Sequence, residues 1–279
     1  MVNNYDFDCE LLTIGNELLI GRTVNTNSTW ISKRITTVGG VVTRCVTILD
    51  ELTDISQAIG EALARRPRWL ILCGGLGPTF DDKTMEGLAD ALGRPLEVNK
   101  EVVRVIDRKY SKMQMRGLIS KVEMTPARIK MATLPEGSLP LSNPIGTAPG
   151  VLLSLQHTLV FALPGVPSEM KRIFLKWIEP VIQKEIGDVH RTSKTLLVRG
   201  VLESTLAPLL DDILSNSDSV YIKSHPKGIE NGRSKLEIEI ATSFSIASEA
   251  EERVTRISDR LSRMIDEIGG KVSVVGDEK

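Results

Sequence analysis

The sequence predicts an α/β protein: parallel strands with helices on both faces over residues 1–186, then a small two-layer α+β domain over 187–279. Three observations predict it. Short apolar runs alternate with stretches whose apolar residues recur at helical spacing, from Cys9 to Leu92. A glycine-rich loop, Gly74 to Thr84, joins one such run to the next helix. Beyond Gly187 the order becomes strand, helix, strand, strand, helix. At 279 residues and 41% hydrophobic content, the chain can bury a core in each of two domains.

Cys9 to Ile14 reads as the first strand, ending at Gly15-Asn16-Glu17. A polar segment follows, and Asn27 or Ser28 is placed to cap a helix carrying Ile31, Ile35 and Val38, which Gly39-Gly40 stops. The β-branched run Val41 to Leu49 is a second strand, and Thr53 or Asp54 caps a helix with Ile55, Ile59 and Leu63 on one face. Leu70 to Cys73 is the third strand; Met85, Leu88, Ala89 and Leu92 mark the helix after its loop. Asn99 to Met115 is a helix, and Thr125-Pro126 opens another, because proline suits the first helical position. Residues 134–150 are turn-rich with too little apolar content for an element, and their proline and glycine favour an ordered binding loop. Val151 to Leu155 and Thr158 to Leu163 form a hairpin, and a helix starts near Pro167 with Met170, Ile173, Phe174 and Trp177 inward. In the second domain the strands are 196–201, 220–223 and 235–242 and the helices 202–214 and 246–268, with 224–232 left as a flexible lid.

In parallel sheets of this kind ligands bind beyond the carboxyl ends of the strands. Gly15-Asn16-Glu17 and Gly74 to Asp82 both lie there, so Glu17, Asn25 and Asn27 are candidate polar contacts, or equally a turn and a cap. Gly74, Gly75 and Gly77 let backbone come close to an anion, and the N–H groups of the first helical turn add to the attraction. Thr79 and Asp82 also fit a Thr-x-x-Asp cap, but adjacent Asp81 and Asp82 diverge on a helix and cannot both serve it. One is left for a cation or a hydroxyl. Lys130, with Arg128, lies near the proposed anion site, or on a solvated face. Gly165, Pro167 and Ser168 repeat the theme of strand, Gly-Pro turn and helix, as a second anion site or a plain turn.

Lysine plus arginine (35) nearly balance aspartate plus glutamate (36), so no net field draws in nucleic acid or a membrane surface. The three cysteines, Cys9, Cys45 and Cys73, sit in apolar runs and read as reduced core thiols of a cytoplasmic protein. No basic-then-apolar leader and no long apolar span occurs, so neither secretion nor membrane insertion is expected. Trp30, Trp177 and the apolar face of the last helix exceed what a small second domain buries, which predicts a homodimer or higher oligomer.

Gly74-Gly75-Leu76-Gly77-Pro78-Thr79-x-Asp81-Asp82-x-Thr84, Asn143-Pro144-Ile145-Gly146-Thr147-Ala148-Pro149-Gly150 and Leu163-Pro164-Gly165-Val166-Pro167-Ser168-Glu169-Met170 together resemble the CinA-like proteins. The N-terminal domain of those proteins is similar to the molybdopterin-binding domain of the MoaB/MogA type. The resemblance covers residues 8 to about 180, and the remainder looks like the small KH-like domain that follows. It implies a three-layer α/β/α domain with a mostly parallel sheet. It also implies a metal-assisted nucleotide pyrophosphatase acting on ADP-ribose or a related dinucleotide. The alternative it implies is molybdopterin (pterin phosphate) binding or adenylylation. Catalysis would then fall to Asp82, Asp81 and Glu17, with Asp82 and Glu17 on a divalent Mg, Mn or Co. The phosphate and its ligand would be held by Gly74, Gly75, Gly77, Thr79, Thr84, Asn27, Lys130, Asn143, Gly146, Thr147, Gly165, Pro167 and Ser168. The C-terminal nicotinamide mononucleotide deamidase of longer members is not expected. Gly15-Asn16-Glu17 and Asn25-Thr26-Asn27 each lack a carboxylate that relatives often carry, which bears on catalysis rather than binding.

Overall fold

The computed structural model describes residues 7–187, 189–217, 220–230 and 232–275, and the chain divides into two compact units, Met1–Ile186 and Gly187–Lys279. In the first unit β1 (Asp8–Ile14), β2 (Val41–Ile48), β3 (Trp69–Cys73) and β8 (Leu159–Leu163) are mutually parallel, in the order β2-β1-β3-β8. The sheet continues antiparallel into β7 (Gly150–Ser154) and β6 (Leu139–Leu141). A mixed α/β architecture with a mostly parallel central sheet is therefore present. Every residue of β3 is buried, as a central parallel strand covered on both faces requires.

The helices follow the apolar spacing. α1 (Asn16–Leu19) is a single turn after β1. α2 (Thr26–Thr37) buries Ile31 and Ile35, and α3 (Leu52–Ala64) buries Ile55, Ile59 and Ala62. The α2 cap is Asn25, whose side chain accepts the Ser28 N–H, rather than Asn27 or Ser28; the cap of α3 is Glu51 rather than Thr53 or Asp54. α4 (Thr84–Leu92) starts two residues after Asp82, with Lys83 at its cap position. α5 (Lys100–Met115) is capped by Asn99, and α6 (Pro126–Lys130) by Thr125 with proline at its first turn. α7 (Pro167–Ile173) runs through a π-helical turn, Phe174–Ile178, into α8 (Glu179–Ile186).

The turn-rich stretch before β7 does hold elements. β5 (Thr133–Pro135) pairs with β4 (Leu96–Val98), and β6 extends the main sheet. Three-residue strands with a proline in each of β5 and β6 give too short an alternation to be read from sequence.

The second unit is one antiparallel sheet in the order β10-β11-β9-β12, with two helices. Its elements are β9 (His190–Arg199), α9 (Glu203–Ser215), β10 (Val220–Glu230), β11 (Arg233–Phe244), α10 (Ala247–Glu267) and β12 (Lys271–Val274). The expected lid at 224–232 is instead strand over 224–230: Ser224, His225 and Pro226 pair with Ile238, Glu237 and Leu236. Asn231 of that stretch lies outside the described residues. Pro226 and Gly228 suggested a loop, but β10 is an edge strand, where a missing N–H can face outward, and a pairing irregularity between Pro226 and Ile229 absorbs the glycine.

Val254, Ile257, Leu261 and Ile265 of α10 are buried, and the last three join a core with Leu196, Val198, Ile238 and Ile240 of the unit's own sheet. Trp30 packs edge-on against Phe174 at 5.3 Å, within the first unit. Two of the three grounds for expecting an oligomer thus find their partners inside the chain; Trp177 is 36% exposed rather than inward and donates its indole N–H to Ser142 O at 3.1 Å. Cys9 and Cys73 are core thiols; Cys45 is exposed, because β2 is the sheet's edge. No helix among the described residues is long and apolar enough to cross a membrane.

Candidate functional site

β1, β3 and β8 end side by side, at Ile14, Cys73 and Leu163, and the chain leaves each through a glycine-bearing turn. Gly74 passes so close to β1 that a Cβ would run into the Ile14 carbonyl, and its φ of 115° is one that only glycine adopts without strain. Its N–H donates to Leu163 O at 2.9 Å, tying the loop to β8. Gly75, also left-handed (φ 64°), sits against the Thr84 hydroxyl, where a side chain has no room. The N–H groups of Gly75, Leu76 and Gly77 have no acceptor among the described residues. Three successive free N–H groups are a donor set of the kind that suits an anion. The first helical N–H, that of Thr84, is not among the free donors, because it donates to Gly75 O at 3.2 Å.

This loop walls a cavity of about 450 Å³ that also takes in Gly15, Glu17, Asp50, Asp81, Asp82, Tyr110, Thr147, Ala148, Gly165 and Glu169. Five of its lining residues are carboxylates, and none is lysine or arginine. Asp50 and Asn16 exchange hydrogen bonds: Asn16 N–H donates to Asp50 Oδ2 at 2.8 Å, and Asp50 N–H donates to Asn16 Oδ1 at 3.3 Å. Burial pushes the Asp50 carboxyl above its ordinary range; the Asn16 N–H opposes this, and the charges of Glu17, Asp81 and Asp82 add to it. Asp82 accepts the Thr79 N–H at 2.9 Å and the Thr79 hydroxyl, so the Thr-x-x-Asp pattern closes the loop on itself instead of capping α4. Asp81 is the exposed member of the pair.

The sequence-derived residues fall into three groups. Gly74, Gly75, Gly77, Glu17, Asp81, Asp82, Thr147 and Gly165 line the cavity. Asn143 and Gly146 stand behind it: the buried Asn143 side chain donates to Ala148 O at 2.8 Å and Glu169 at 2.6 Å and accepts the Gly146 N–H at 2.8 Å. Thr84 is fully buried, and its hydroxyl is spent on Gly74 O at 2.8 Å, so it shapes the loop from beneath. Thr79 and Lys130 lie outside the acidic cavity; Lys130 Nζ donates to Thr79 O at 2.6 Å and lines a neighbouring, more apolar cavity of about 350 Å³ across the glycine loop. Asn27 donates to Gly165 O at 2.8 Å and Cys73 Sγ at 3.4 Å and, with Pro167, lines a side cleft of about 100 Å³ that also reaches Glu17. Asn25 is structural, donating to Thr13 and Thr47 at 2.9 and 3.3 Å. Ser168 is exposed in the first turn of α7 and takes no part in either cavity.

Two of the cavity's carboxylates escaped sequence reading. Asp50 follows β2, and only the pairing of β2 with β1 brings it beside Gly15, whose N–H donates to Ile48 O at 3.2 Å. Its signal was available, since it follows a parallel strand's carboxyl end as the glycine loop does. Glu169 lies within a quoted motif but was assigned no role, since an acid in a first helical turn is accounted for by the helix alone.

Among the described residues no three His, Cys, Asp or Glu side chains are placed to enclose a metal ion by themselves. The donor set does suit a hard cation shared with a ligand. Magnesium is commonly held by one or two carboxylates with substrate phosphates completing its shell.

Fold and cavity together define an α/β domain with an acidic cavity at the carboxyl ends of its parallel strands. Residues 10–184 match the family described as "Probable molybdopterin binding domain", and the chain belongs to that family. It is 41% identical over 263 residues to a protein of Aeropyrum pernix, covering 94% of this chain and 95% of that one. A protein of Metallosphaera sedula is 42% identical over 269 residues, covering 96% and 98%. Among solved structures, the protein CinA of unknown function from Thermoplasma acidophilum is 38% identical with a TM-score of 0.58, over 64% of this chain and 99% of that one.

Proposed function

We propose that this chain binds a phosphorylated heterocycle of the molybdopterin class, with the phosphate on the Gly75–Gly77 N–H groups and a divalent cation between it and the carboxylates. The single observation carrying this reading is the pairing of three free N–H groups with an acidic cavity whose lining holds no lysine or arginine. A bare phosphate is repelled by five carboxylates; a phosphate with its cation is attracted. Glu17, Asp50 and Asp81, whose carboxylates are not spent on closing the glycine loop, are the residues that would hold Mg, Mn or Co, and the ion would neutralise phosphoryl charge there. The family description supports a pterin ligand over a dinucleotide.

Hydrolysis of ADP-ribose by the same apparatus is the second reading, and it asks more of the site. It needs Asp82 on the cation, whereas that carboxylate already closes the loop on Thr79. The KH likeness of the second unit carries no part of this proposal.

Calorimetry with a phosphorylated pterin and with ADP-ribose, each with and without Mg, is the test. Cation-dependent pterin phosphate binding without ADP-ribose hydrolysis is the expected result. Metal-dependent hydrolysis of ADP-ribose, lost in Asp82→Asn, would replace this reading with the second one.

A further inference from the structure

Glu169 is a carboxylate built into a site whose ligand is anionic, and phosphate binding gives it no purpose. Its position is fixed with unusual care. Its Oε2 accepts from Asn143 Nδ2 at 2.6 Å, and Asn143 is 3% exposed with its remaining donor and its acceptor engaged by the backbone of its own loop. That loop is sewn down in turn by Lys109 of α5, whose Nζ donates to the carbonyls of Asn143 (2.6 Å) and Gly146. Gly146 is glycine because a Cβ there would occupy the place of the Glu169 carboxylate. Three elements, α5, α7 and the 143–148 loop, thus converge to hold one carboxylate at the cavity wall.

The second oxygen, Oε1, takes no donor among the described residues, and Lys109 spends its ammonium on carbonyls rather than on Glu169. A fixed carboxylate with unused acceptor capacity, beside Tyr110 and Ala148, recognises paired N–H donors. Resting on the binding reading above, we propose that Glu169 selects the ligand's ring by accepting two adjacent N–H groups: a ring N–H and the neighbouring exocyclic amine. Pterins and guanine present that edge. Hypoxanthine keeps the ring N–H but lacks the amine. Adenine places a ring acceptor beside its amine and meets the carboxylate lone pairs with its own.

Titration of the full chain in Mg with GMP, IMP, AMP and pyrophosphate tests this. GMP should bind most tightly, IMP roughly tenfold more weakly and AMP more weakly still. Glu169→Gln should lose roughly tenfold to a hundredfold in GMP affinity and leave AMP and pyrophosphate unchanged. Gly146→Ala, which displaces the carboxylate without removing it, should show the same selective loss, and thermal melts of both variants establish that they are folded. Equal binding of the three nucleotides by the wild type overturns the inference while leaving the phosphate site intact. So does a loss of pyrophosphate binding in Glu169→Gln, which would put Glu169 at the cation. Failure of the wild type to bind even pyrophosphate overturns both the inference and the reading beneath it.

Discussion

The first unit uses carboxylates in two ways. On its flanks they are matched with arginines: Glu10, 2% exposed, takes both arms of Arg65 at 2.7 Å; Glu179 takes Arg34 at 2.8 and 2.5 Å; Glu185 takes Arg68 and the Trp69 indole N–H at 2.8 Å. At the strands' carboxyl ends Glu17, Asp50, Asp81, Asp82 and Glu169 form no ion pair among the described residues; where they have partners, these are N–H groups, a hydroxyl and an amide. A matched carboxylate is finished by the protein. An unmatched one, held still by neutral donors, leaves its charge for something that arrives. That difference supports the binding reading proposed above.

Breaking a matched pair should have the largest effect. Arg65→Ala leaves Glu10 buried with only Arg44, 3.7 Å away, and should cost about 3 kcal/mol. The comparison fails if urea unfolding gives less than a third of that. Next comes the glycine loop. Gly74→Ala forces a Cβ against the Ile14 carbonyl at a left-handed position and should cost about 1–3 kcal/mol while abolishing cation-dependent ligand binding. Wild-type affinity in that variant would show that the loop tolerates what its geometry forbids.

The smallest effect has the opposite sign. Asp50 has a folded pKa raised above its unfolded value, so the folded state holds the proton more tightly, and stability falls as pH rises through that raised pKa. Asp50→Asn keeps an acceptor for the Asn16 N–H and removes the charge, so the melting temperature of the ligand-free protein at pH 7 should rise, by about 1–3 °C. The gain should vanish below pH 4 and should reverse in saturating Mg and ligand. A lowered melting temperature at pH 7 would mean that Asp50 is a matched carboxylate after all.

Much of this was legible in the sequence. The strands before Gly15 and Gly74, the turn at Gly165 and the helices packed on them follow from apolar period and glycine placement, which are local. Asp50 and the role of Glu169 were not, because each depends on which strand or loop lies beside it. Lys130 reaches the glycine loop through Thr79 O, but on the side away from the acidic cavity, which spacing along the chain cannot show. The strand over 224–230 was missed because an edge position, invisible locally, is what makes Pro226 acceptable.

The unequal burial of the three cysteines gives the protein a chemical handle. Burial pushes the Cys73 thiol up to about 12 and the Cys9 thiol higher still, so neither offers thiolate to an electrophile at neutral pH. Cys45 stands exposed on β2, three residues before the end of the strand that leads to Asp50. One equivalent of a maleimide dye should therefore modify a single position without any cysteine being removed. Its emission would report on the acidic mouth of the cavity as cations and ligands enter.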